Sequence, residues 1–146
     1  MCEQRLPPSV LRKASLRGKE YAWPLAVVEE VVTAAVACGL ANGGGVAQFR
    51  IPDAVCDLYW LSVESEKRLH DEPWGRYVTR SADEVLARFS DLRSRTDFIK
   101  EGISFPCLHQ LHRQGVDLDQ YLCFVLYFNP EPTEFSLSVK SSVTDH

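Results

Sequence analysis

The chain has 146 residues, 45% hydrophobic and 25% charged, with a formal net charge of -4. That length and balance suit one globular domain with its own core and exclude a wholly disordered or fibrous chain. No apolar run approaches the ~20 residues that span a bilayer, and the N-terminal stretch MCEQRLPPSVLRKASLRGK lacks an apolar h-region, so neither a membrane segment nor a secretory signal is expected.

Residues 1–21 combine Pro7-Pro8 with scattered basic groups and little periodicity. They read as a partly flexible N-terminal arm ahead of a single α+β domain over 22–146. Pro24 suits the first position of a helix, where its missing N–H costs nothing. Val27, Val28, Val31, Val32, Ala35 and Val36 then recur at helical spacing, with Glu29 and Glu30 on the other face. Gly39 and the run Gly43-Gly44-Gly45 are expected to end this helix and turn the chain. Residues 46–51 alternate as a half-buried strand, Pro52 and Asp53 form a turn, and residues 55–63 (VCDLYWLSV) return as its hairpin partner.

Residues 64–73 (ESEKRLHDEP) form a charged loop, and residues 74–80 read as a third strand. Ser81 and Glu84 match the Ser-x-x-Glu capping box, so a second main helix is expected to start there, burying Val85, Leu86, Phe89 and Leu92. Residues 96–101 continue it after a break, closed by Gly102, and a short helix is expected at 107–114. Residues 121–128 (YLCFVLYF) show no alternation and predict a strand covered on both faces. Residues 133–140 alternate again and are expected to pair with it. The expected architecture is one mostly antiparallel sheet of about five strands packed by two main helices.

Few constellations carry chemistry. The glycine run follows a helix and precedes a strand, the reverse of a phosphate loop, and lacks the Gly-Lys-Ser/Thr ending. Cys107, His109 and His112 make Cys-x-His-x-x-His, a weak candidate for a metal site or for a small metal-dependent hydrolase. The ordinary reading is surface histidines beside a partly buried cysteine, because a structural zinc needs four ligands. Five cysteines at 2, 38, 56, 107 and 123, without a Cys-x-x-Cys pair, suit reduced thiols in the cytoplasm. No cofactor and no catalytic residue is expected.

Charge is unevenly placed: residues 1–22 carry +3 and the remainder -7. An acidic body disfavours nucleic acid and favours a basic protein partner. The charged loop is flanked by Tyr59 and Trp60 before it and Trp74 after it. Aromatics beside mixed charge are frequent at recognition surfaces, although a solvated loop between two core tryptophans accounts for the same pattern.

KEYAWP (19–24), the apolar helix over 25–40, GGGVAQF (43–49) and DLYW (57–60) follow one another in an order that resembles small immunity proteins encoded beside bacterial polymorphic toxins, including those of contact-dependent inhibition systems. The resemblance covers roughly the first half of the chain after the arm. It implies a stoichiometric inhibitor whose partner is the C-terminal domain of a cognate toxin, with a nuclease bearing a basic cleft as one candidate, and no membrane. In that family an acidic residue tends to follow the paired glycines; Gly45 stands here, so no role is carried over to it. Glu64, Glu66, Asp71 and Glu72, with Trp74 nearby, are the candidate toxin-binding residues. A generic protein-binding adaptor is the other open reading. Oligomeric state and the toxin's identity are left open by the sequence.

Overall fold

The computed structural model describes residues 2–133. In chain order the elements are α1 (Pro8–Leu11), β1 (Ser15–Arg17), β2 (Glu20–Trp23), α2 (Val28–Ala37), β3 (Ala41–Ile51), β4 (Ala54–Glu64), α3 (Trp74–Arg95), α4 (Phe98–Gly102), α5 (Pro106–Arg113) and β5 (Leu122–Asn129). Short 3-10 turns cover Cys2–Arg5, Leu25–Val27 and Leu118–Tyr121. The five strands form one open antiparallel sheet in the order β1-β2-β5-β3-β4, with α2 and α3 as the main helices against it. The fold is therefore α+β. No helix among the described residues is long and apolar enough to cross a membrane.

Strand alternation sorts the side chains onto two faces. Trp23, Phe49, Leu58, Phe124, Leu126 and Phe128 join the main core, where Val28, Val31 and Val32 of α2 and Val85 and Phe89 of α3 meet them. The alternate positions Ala22, Cys123 and Val125, with Val46, form a small separate patch on the opposite face. The hairpin closes through Pro52-Asp53, with Ile51 opposite Ala54. β5 lies between β2 and β3, and its residues 123–126 are all buried, as their unbroken apolar run predicts.

Helix α2 stops as its sequence requires. Gly39 has φ +73°, its N–H bonds the Val36 carbonyl at 3.0 Å, and the Leu40 N–H bonds the Ala35 carbonyl at 2.9 Å. This is the Schellman arrangement, which satisfies the last carbonyls and uses glycine's freedom in the left-handed region.

Several elements depart from the sequence reading. Gly43, Gly44 and Gly45 do not turn the chain; they lie within β3, where Gly44 and Gly45 pair with β5 on one side and β4 on the other and the β5 register skips Gly43. Irregularities between Asn42 and Gly44 and between Val46 and Ala47 accommodate them as bulges. Residues 74–80 are not a strand but the first two turns of α3, which starts after Pro73. Their aromatic and β-branched content suggested extended chain. The buried positions Tyr77, Val78, Ser81, Ala82, Val85, Phe89 and Leu92 instead keep a helical period throughout. The Ser81/Glu84 pair is thus no capping box, because it sits two turns inside the helix. The stretch read as an arm, residues 1–21, contains β1 and the start of β2, and its Leu6 and Val10 lie in the core. Apart from Thr133, the strand expected over 133–140 lies outside the described residues.

Candidate functional site

Arg80 organises the loop between β4 and α3. Its guanidinium grips both Glu72 oxygens (2.7 and 2.8 Å) and both Glu84 oxygens (3.0 Å), and donates to the Lys67 carbonyl at 3.2 Å. The guanidinium also lies 5.3 Å from the centre of the Tyr77 ring. Glu72 is 6% exposed, and its carboxylate accepts the Leu69 N–H as well. The Arg80 hydrogen bonds and, next, the Leu69 N–H outweigh burial and hold its acid down at about 2. Trp74 donates its indole N–H to the Gly39 carbonyl at 2.8 Å and carries Arg68 over its ring at 5.2 Å. Arg88 adds a second brace, bonding the Glu64 carbonyl and, at 3.2 Å, the Glu66 carboxylate.

The five residues singled out from the sequence therefore divide. Glu72 and Trp74 are occupied in holding the loop on α3. Glu64, Glu66 and Asp71 have exposed side chains, and Glu64 lies at the end of β4 facing a second feature that the sequence did not single out.

That feature is a concavity of about 480 Å³ on the sheet face away from the helices. Gly43, Gly44 and Gly45 make its floor; Tyr59 and Tyr127 stand at its rim; Glu20, Asp57 and Glu64 supply three carboxylates. Among the described residues that line it there is no Lys or Arg. Close packing of the strands requires glycine at two of these positions: a Cβ on Gly44, whose φ is +134°, would collide with the Val63 carbonyl, and one on Gly45 with the Val125 carbonyl and the Phe124 ring. Tyr59 is 76% exposed, and Tyr127 donates its hydroxyl to Glu20 at 3.3 Å. Burial, then the Glu20 charge, raise the Tyr127 phenol and keep its proton in place.

Beside this concavity Arg50 is buried within the same face at 7% exposure. It donates to the Gln48 side-chain oxygen (2.9 Å), to the Ser15 carbonyl (2.9 Å) and hydroxyl (3.1 Å), and to the Glu20 carbonyl (3.2 Å). Gln48 in turn donates to Asp57. This network ties β1 and β2 to β3 and β4 across the sheet, and so fixes Glu20 and Asp57 relative to one another. Buried polar groups satisfied in this way give rigidity to the surface above them.

Cys107 lies in the first turn of α5 with its sulfur 3.6 Å from that of Cys56 on β4. His109 and His112 are both exposed on the same short helix. On a helix, positions two and five residues on from Cys107 point to other sides. Among the described residues no three His, Cys, Asp or Glu side chains are grouped so as to hold a metal ion.

No protein-family model matches the chain, and comparison with curated proteins and with solved structures likewise gives no match.

Proposed function

We propose that this chain is an immunity protein of the cytoplasm, which binds the C-terminal domain of a cognate bacterial toxin and neutralises it by occluding its active region. The observation that carries the reading is the concave sheet face in which Glu20, Asp57 and Glu64 stand beside an aromatic rim of Tyr59 and Tyr127, with no basic side chain among the described residues that line it. Such a surface suits an inserted Arg or Lys, which carboxylates bind through charge-assisted hydrogen bonds and tyrosine rings through their faces. A basic toxin cleft, built to hold phosphate, offers those side chains. The resemblance of residues 19–60 to immunity proteins agrees with this, as does the net charge of -7 beyond residue 22. Asp71 adds an exposed carboxylate on the neighbouring loop, where the exposed Glu66 carboxylate is shared with Arg88.

Growth rescue tests the reading. The C-terminal domain of a secreted protein encoded beside this chain is expressed with and without it. Rescue, together with a stable complex on size-exclusion chromatography, is expected; failure of both ends the proposal.

A further inference from the structure

Five free thiols are present among the described residues. Cys2, Cys38 and Cys123 each donate to a backbone carbonyl, of Phe128, Arg5 and Gln48 respectively. Cys56 and Cys107 instead have each other, at 3.6 Å, although 51 positions separate them in the chain. We propose that Cys56 and Cys107 are a modification site: a thiol pair that hydroperoxides oxidise to a reversible disulfide joining β4 to α5.

The geometry supplies each requirement. Cys107 is exposed and lines a small open cavity of about 260 Å³ with Asp53, Gln110 and Gln114, so a peroxide-sized oxidant reaches it. Cys56 is buried, so oxidant reaches Cys107 before it. The exposed sulfur therefore meets oxidant first and the buried one resolves. The two elements are held in place independently of the sulfurs: Leu108, next to Cys107, is wholly buried, and Phe105 just before α5 stacks on Trp60 of β4 at 6.1 Å. Closing from 3.6 Å to a disulfide needs a movement of roughly 1.5 Å.

The chemistry balances with hydrogen peroxide as the oxidant. The Cys107 thiolate attacks one peroxide oxygen; an S–O bond forms, the O–O bond breaks, and hydroxide leaves and is protonated to water. Cys56 then attacks the Cys107 sulfur; the S–S bond forms, the S–O bond breaks, and the departing hydroxide takes the Cys56 proton as a second water. Two thiols lose two electrons and one peroxide gains them. This inference does not rest on toxin binding.

The test treats the full chain with hydrogen peroxide and maps its peptides by mass spectrometry. The expected result is a loss of 2 Da, a single Cys56–Cys107 linked peptide, and full reversal by dithiothreitol. Oxidation is expected to raise Tm by roughly 10 °C, since the link closes a long loop. Cys107→Ser, at an exposed position, is expected to keep the unoxidised Tm and to lose both the link and the shift. Cys56→Ser is expected to stop at a sulfenic acid on Cys107 that dimedone traps; should this buried substitution prevent folding, the Cys107→Ser comparison still decides. A link between other cysteines, oxidation of Cys107 to sulfinic acid without a link, or an unchanged thiol count would each overturn the proposal.

Discussion

Single side chains decide whether the charged loop stays on α3. Glu72 shows this most directly, because its acid lies near 2 in the folded chain against an ordinary 4.5. A carboxylate held below its unfolded value stabilises the fold fully above the unfolded value, and that contribution is lost as pH falls from about 4.5 toward 2. Glu72→Gln is therefore expected to lower Tm at pH 7, and the gap between the two proteins should close on acidification, as followed by circular dichroism. A gap that stays constant down to pH 2 would show that the Arg80 contact contributes nothing through charge. Ser81 acts at the same scale. Its wholly buried hydroxyl accepts the Asn42 N–H at 3.0 Å and donates to the Val78 carbonyl at 3.1 Å. Ser81→Ala leaves a backbone donor of β3 without its acceptor, and urea unfolding is expected to show a loss of about 1–3 kcal/mol.

At the scale of elements, the departures between sequence and structure have one physical source: local patterns were overruled by tertiary partners. The hairpin, read over 46–51 and 55–63, and the buried strand β5 were legible because alternation and an unbroken apolar run are direct consequences of one-sided and two-sided burial; the extension of β3 back to Ala41 was not. The start of α3 was not, since Trp74, Tyr77 and Val78 carry strand propensity, and the packing of Tyr77 and Val78 with Ala41, beside Val36 and a half-buried Trp74, is a tertiary contact that the local sequence does not show. Ser81 and Glu84 imitate a helix start while serving a strand and an arginine. The glycines of β3 imitate a turn while providing room for the neighbouring strands. Gly45→Ala is accordingly expected to destabilise the fold by about 1–3 kcal/mol or more through overpacking, measured by denaturant unfolding. Gly75→Ala, on an exposed helical position with nothing within 4 Å of the added carbon, is expected to be neutral or stabilising by up to ~1 kcal/mol. Equal losses at both positions would remove close packing as the reason for glycine in β3.

Across the whole molecule, the candidate binding face is assembled from residues far apart in the chain. Asp57 and Tyr59 could be placed on one face of β4 from their alternation. Glu20 could not, because it stands in a stretch without periodicity and joins the site only when β2 pairs with β5. Tyr127 was hidden inside an apolar run. Glu64 is the residue that both readings share: it ends β4, begins the charged loop and lines the concavity. The rigid Arg50–Gln48–Asp57 network beneath presents these groups in a fixed arrangement before any partner arrives. Less ordering is then needed on binding, which favours affinity.

The proposed recognition at this face is electrostatic, and association kinetics respond to its charge directly. Stopped-flow binding to the proposed toxin partner is compared for the native protein and for a variant combining Glu20→Lys, Asp57→Lys and Glu64→Lys. At low salt the variant is expected to associate at least ~10-fold more slowly, with the difference shrinking as ionic strength rises. An association rate unchanged by the three substitutions, in a variant whose circular dichroism matches the native protein, would contradict the account.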